Sequence, residues 1–194
     1  MQGDTTGDTM KLFSRRSALR IALLSSLAVG ATPRSEAASA AAIDADVRET
    51  MTDFFARVHG ARELVNRSAA VLVFPTVIKA GVGIGGEYGE GALLTRERTM
   101  DYYNIVSASI GFQLGAQARS VIIVFVTPEA LASFRRTHGW KVGVDASVAI
   151  ITVGAGGSID TSRIASPIVG FIFDGKGLMY NLTLEGSKIT RIRR

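Results

Sequence analysis

The chain contains no cysteine. That excludes disulfides, thiol nucleophiles, thiolate metal sites and a lipidated cysteine anchor. Histidine is almost as scarce: His59 and His138 are the two present, and their spacing matches no metal-ligand pattern. No G-x-S-x-G elbow occurs, because Gly156-Gly157-Ser158-Ile159-Asp160 places its glycines wrongly for one. No uncharged apolar run reaches the ~20 residues of a transmembrane helix. Charged residues make up only 20%. What is plentiful is apolar side chain, at 47%, and glycine, at 21 of 194 residues. This length suits one domain, and the mixture favours strands and tight turns over a helical bundle. The formal charge of +5 favours anionic partners in general, whether phospholipid, nucleic acid or acidic glycan.

The first forty residues read as an address. Lys11, Arg15, Arg16 and Arg20 precede an uncharged stretch over 21–31, and Ala38-Ser39-Ala40 offers a small-residue cleavage site. Ser14-Arg15-Arg16-Ser17-Ala18-Leu19-Arg20 partly resembles a twin-arginine signal. The expected organisation is a leader over 1–40, cleaved near Ala40, and a single domain over 41–194 in the periplasm or secreted. Loss of the leader removes five basic and three acidic residues, so the net charge falls to +3. Anion binding then depends on local clusters.

In the remaining chain, Ile43, Val47, Met51, Phe54 and Val58 recur at helical spacing with acidic residues between them, and Gly60 ends the pattern. A second short helix is predicted over 61–70. From Val71 the period becomes that of strands. Strands are predicted over 71–74 (with Pro75 marking an edge or bulge), 81–94, 100–109, 111–117, 120–126, 142–153, 167–174, 178–184 and 188–192. Thr127-Pro128-Glu129 opens a helix that stops at Gly139. Short connections favour antiparallel pairing. The fold class is therefore α+β: N-terminal amphipathic helices packed on a curved or closed, mainly antiparallel β-sheet with one inserted helix.

Several motifs look chemical. Gly81-Val82-Gly83-Ile84-Gly85-Gly86 contains G-x-G-x-x-G, but Glu87-Tyr88-Gly89-Glu90-Gly91 cannot supply the helix that a dinucleotide site needs. It reads as a glycine-rich strand. Glu87 and Glu90 point to opposite faces of a strand and read as exposed turn carboxylates. Basic residues cluster at Arg135, Arg136 and Lys141, and again at Lys188, Arg191, Arg193 and Arg194.

The run Val73-Phe74-Pro75-Thr76-Val77-Ile78-Lys79-Ala80-Gly81, continuing through Gly86, Gly89 and Gly91, is similar to the signature of the SYLF domain. Gly111-Phe112-Gln113-Leu114-Gly115-Ala116-Gln117, Val124-Phe125-Val126-Thr127, Gly143-Val144-Asp145-Ala146-Ser147-Val148 and Leu184-Glu185-Gly186-Ser187-Lys188-Ile189 follow in the family's order. The resemblance covers roughly 61–194. It implies a non-catalytic lipid-binding module without cofactor or metal, here an exported bacterial member. Its partner would be an anionic lipid or membrane surface rather than nucleic acid, and export makes actin an improbable one. The candidate lipid-binding residues are Lys79, in the family block, with Arg135, Arg136, Trp140, Lys141, Lys188 and Arg191. Trp140 and Phe112 are expected to add shallow insertion. A periplasmic scaffold that binds protein through its sheet edge is the second reading, and a small hydrolase the third.

Overall fold

Where apolar side chains alternate, and where they run on without alternating, decides how this chain folds. The computed structural model describes residues 38–96, 98–151, 159, 164–174, 177–178 and 184–194. The leader expected over 1–40 lies almost wholly outside them. α1 (Ala40–Arg57) buries Ile43, Val47, Met51 and Phe54, three or four residues apart. The Ser39 hydroxyl caps it by accepting from the Ala42 N–H at 3.2 Å. The acidic residues expected at its start begin one turn in, at Asp44. A chain cut after Ala40 would lose that cap, worth ~1 kcal/mol, and would depend on packing to keep the helix. Gly60, at φ +89°, makes the left-handed turn into α2 (Ala61–Arg67).

The rest is built on one long hairpin. β1 (Ala70–Thr95) pairs antiparallel with β2 (Arg98–Phe125) from end to end. The sequence predicts three separate strands between 100 and 126; the structure has one. The apparent breaks are bends, not turns, because register shifts at Phe74/Val77, Val82/Ile84 and Leu93/Leu94 absorb the irregularities within the ladder. The shift at Pro75 takes the form expected of an internal proline, and the glycine run 81–86 lies within β1 rather than before a helix.

The hairpin curls back on itself. In a straight strand, Val73 and Gly91 would stand ~60 Å apart. Instead Gly91 lies against the Val73 carbonyl, and a Cβ added at Gly89 would meet the Thr76 carbonyl oxygen at 2.7 Å. Only glycine permits this crossing of the two arms of β1. On its other edge, β2 takes β7 (Lys188–Ile192) along 102–106 and β5 (Ile168–Asp174) along 120–125. One curled hairpin thus carries a third strand at each end.

α3 (Pro128–Arg136) follows β2, capped by Thr127, whose hydroxyl accepts from the Ala130 N–H. Gly139 turns the chain at φ +66° into β3 (Trp140–Lys141), which pairs with β7. β4 (Ala149–Ile150) is parallel to β5, and β6 (Gly177–Leu178) pairs antiparallel with it. The strand predicted over 142–153 shrinks to β4, because 143–146 form a turn closed by the Gly143 N–H to the Ala146 carbonyl at 2.8 Å. Residues 152–153 and 179–183 of the predicted strands lie outside the described residues.

The sheet buries both faces where its strands read as unbroken apolar runs. Leu72, Phe74, Val121, Ile123 and Phe125 face inward with Leu93, Tyr103 and Ile105, and α3 supplies Phe134 to that core. Val71, Val73, Ile122, Val124, Phe171 and Phe173 face outward under α1 and α2. The Phe54 ring of α1 packs tilted against Phe171, with centroids 4.8 Å apart. The class is α+β, and the sheet is strongly curled.

Candidate functional site

Strand alternation places the two buried carboxylates. Asp101 shares the inward face of β2 with Tyr103 and Ile105, and Glu87 shares the inward face of β1 with Leu93. An inward carboxylate has to be paired. Each one is held by two cations. Glu87, 6% exposed, takes Arg119 at 2.5 Å and Lys79 at 3.4 Å. Asp101, 7% exposed, takes Arg135 at 3.5 Å and Arg191 at close range. Burial, with the neighbouring Asp101 carboxylate, raises the Tyr103 pKa above its ordinary value; Arg191 and Arg135 act against the rise.

These pairs redistribute the residues that the sequence singles out. Lys79 lies far along the hairpin from the other candidates and is bound into the Glu87–Arg119 group. Arg135 and Arg191 neutralise Asp101, although their guanidinium groups remain 44% and 66% exposed. Trp140 is corrected outright: at 1% exposure its indole packs edge-on to Phe134 at 5.3 Å, within the inner core, and offers nothing for a membrane to meet. The Phe112 side chain lies outside the described set. Glu87 and Glu90, expected as free turn carboxylates, are both enclosed. Glu90 accepts from the Tyr88 hydroxyl at 2.5 Å and pairs with Arg194.

Three of the candidate cations are exposed and form no side-chain ion pair among the described residues. Arg136 lies in the last turn of α3, Lys141 in β3 and Lys188 in β7. The Asp145 carboxylate does accept from the Lys141 backbone N–H, at 2.6 Å. The fold brings Lys141 and Lys188 together although the sequence separates them by more than forty positions. Lys141 and Lys188 are direct cross-strand partners, so their side chains leave the sheet on one face. The Lys188 stem lies over Gly139, in the turn that follows Arg136. Like charges placed directly opposite each other repel, and an anion between them relieves that. On the same outer face, β2 presents Val106 opposite Lys188, and β1 presents Tyr88 opposite Val106, 43% and 49% exposed.

The sequence patterning missed Asp101 and Arg119. The signal was an acidic or basic residue at an inward position of an alternating strand. A cleft of about 390 Å³ between α1 and the Pro75 bulge is lined by Asp46, Glu49 and Asp53 as well as Arg57 and Arg119. Its net negative lining is unsuited to an anion. Among the described residues, no group of histidine and carboxylate side chains could hold a metal, and no helix is long and apolar enough to cross a membrane.

Comparison with known proteins agrees with the resemblance. Residues 106–193, from the middle of β2 to the end of β7, match the model of the family described as Ysc84: Las17-binding protein actin regulator. An SH3 domain-containing protein of Schizosaccharomyces pombe is 29% identical over 147 residues, covering 69% of this chain and 34% of its own length. The chain thus spans about a third of that relative. Over residues 106–193 the chain is thus similar to the Ysc84 (SYLF) family, the one that its ordered sequence blocks resemble.

Proposed function

We propose that the chain is a non-catalytic binding module whose ligand is an anionic lipid surface, met by Arg136, Lys141 and Lys188. The observation that carries this reading is the cross-strand pairing of Lys141 with Lys188, which puts two ammonium groups, neither in a side-chain ion pair among the described residues, on one face of the sheet. Arg135 and Arg191 are taken up by the inward Asp101 and add little to the group. Each cation near a charged membrane contributes ~1 kcal/mol, so the three together support affinity that salt must weaken. Val106 and Tyr88, on the same face, supply apolar contact at the depth where a tyrosine ring is stable. Residues 1–40 act as a leader in this reading, which puts the lipid on the outer side of the cytoplasmic membrane. The family's description names a protein-binding actin regulator, so a protein partner on the same basic face is the second reading. Cosedimentation of the protein with phosphatidylglycerol vesicles and with phosphatidylcholine vesicles, over a salt series, tests the first. Binding confined to the anionic vesicles and lost as salt rises is the expected result. Equal binding to both, or to neither, contradicts it and favours the protein partner.

A further inference from the structure

A second cleft lies on the far side of Trp140. It measures about 300 Å³, at the lower end of the size of ligand sites, and lies between the N-terminal half of α3 and the segments around Ala146 and Ile168. Its walls are mainly apolar: Ala130, Trp140, Ala146, Pro167 and Ile168. Ala130 and Ala146 are only half-buried against the inner core, so the cleft is open to solvent above a packed floor. The Thr127 hydroxyl at its edge is already engaged as the helix cap. Glu129 and Ser133 line it from α3. Helical spacing carries that stripe on to Arg136, at positions i, i+4 and i+7. Glu129 and Arg136 are then ~10 Å apart along the helix axis, with the carboxylate at one end and the guanidinium at the other.

We propose that this cleft takes the chain of a single-chain anionic amphiphile, a fatty acid carboxylate, with its head at the Arg136 end. The inference rests on the lipid reading above for its ligand class but uses a different surface. An apolar trough of this size accommodates part of one chain rather than two. The charged ends set the direction, because an anionic head is repelled by Glu129 and attracted by Arg136. Arg136 therefore stands at the end of the cleft, three residues before the Gly139 turn that the Lys188 stem covers.

Trp140 is the only tryptophan of the chain and it lines the cleft, so its fluorescence reports occupancy directly. The full chain is titrated with hexanoate, octanoate and decanoate below their micellar concentrations, and with a bromine-tagged decanoate as quencher. Saturable quenching is expected, with affinity rising roughly fourfold for each added methylene until the cleft is filled. Arg136→Ala should weaken decanoate about fivefold and should leave decanol unaffected. Ala146→Leu and Ala130→Leu, each checked for folding by circular dichroism, fill the trough and should remove quenching while vesicle binding persists. Absence of saturable quenching in the wild-type chain overturns the proposal. So does quenching that survives in both filled variants, or decanoate affinity that is indifferent to Arg136→Ala. Vesicle binding lost with quenching intact would contradict the membrane reading and leave the cleft standing. In the wild-type chain, vesicle binding without saturable quenching would do the reverse.

Discussion

Glu87 and Asp101 show how two residues of one charge organise residues of the other. Each sits on the inward face of a strand, and each draws two cations across the sheet to it. Lys79 is therefore explained by its ion pair, with no ligand needed. Arg119, whose side chain is 9% exposed, is the more deeply committed partner, and Lys79, at 21%, the less. Removing one member of a buried pair leaves a bare charge, at ~3 kcal/mol or more, whereas partly solvated pairs contribute less than ~1 kcal/mol. In urea melts, Arg119→Ala should destabilise by about 3 kcal/mol and Lys79→Ala by about 1 kcal/mol. The opposite ranking would contradict this assignment. Tyr103 adds a pH dependence. Its phenol is held neutral in the fold by burial first and by Asp101 second, so its folded pKa exceeds its unfolded one. The stability this contributes is complete below pH ~10 and is lost as pH rises through the folded value. Tyr103→Phe should flatten that alkaline fall, as thermal unfolding against pH would record; an unchanged slope would count against it.

At the scale of elements, local chemistry was legible and long-range geometry was not. α1, α2, α3 with its Thr127 cap, β5 and β7 all lie where periodicity and capping residues put them. The hairpin was misread because glycine marks turns and bends alike. Nothing local distinguishes a bend within β2 from a loop between two strands. The strand predicted over 142–153 failed for a related reason: a β-branched run does not form a strand when its backbone is spent on the 141–146 turn. The same glycines give a sharp prediction. Gly91 lies against the Val73 carbonyl where the arms of β1 cross. Gly91→Ala must push the arms apart and should cost at least ~2 kcal/mol. At Gly86, an added Cβ meets only the Ser107 carbonyl oxygen at 3.7 Å, so Gly86→Ala should change stability by less than ~1 kcal/mol. Equal losses in denaturant melts would argue against the crossing.

In the whole molecule, the strand order β3-β7-β2 does what no local pattern reveals. It lays the basic residues after α3 beside those at the end of the chain. The sequence disclosed both clusters but could not show that they are neighbours, because β7 reaches β3 only through the curled hairpin. Nor could it separate cations committed to carboxylates (Lys79, Arg135 and Arg191) from those without such partners among the described residues (Arg136, Lys141 and Lys188). That division depends on which face of its strand each carboxylate occupies. The buried Trp140 teaches the same lesson, since an aromatic suited to a membrane interface is equally suited to a core.

The measurement that bears most directly on the account is the affinity of the triple variant Arg136→Ala, Lys141→Ala and Lys188→Ala for phosphatidylglycerol vesicles, set beside the wild-type chain and beside Arg135→Ala. Loss of three cations should weaken binding about a hundredfold with folding intact, and should flatten its salt dependence. Arg135→Ala should weaken it far less, because that guanidinium already shares Asp101. A triple variant that binds vesicles as tightly as the wild type, with the same response to salt, would contradict the account.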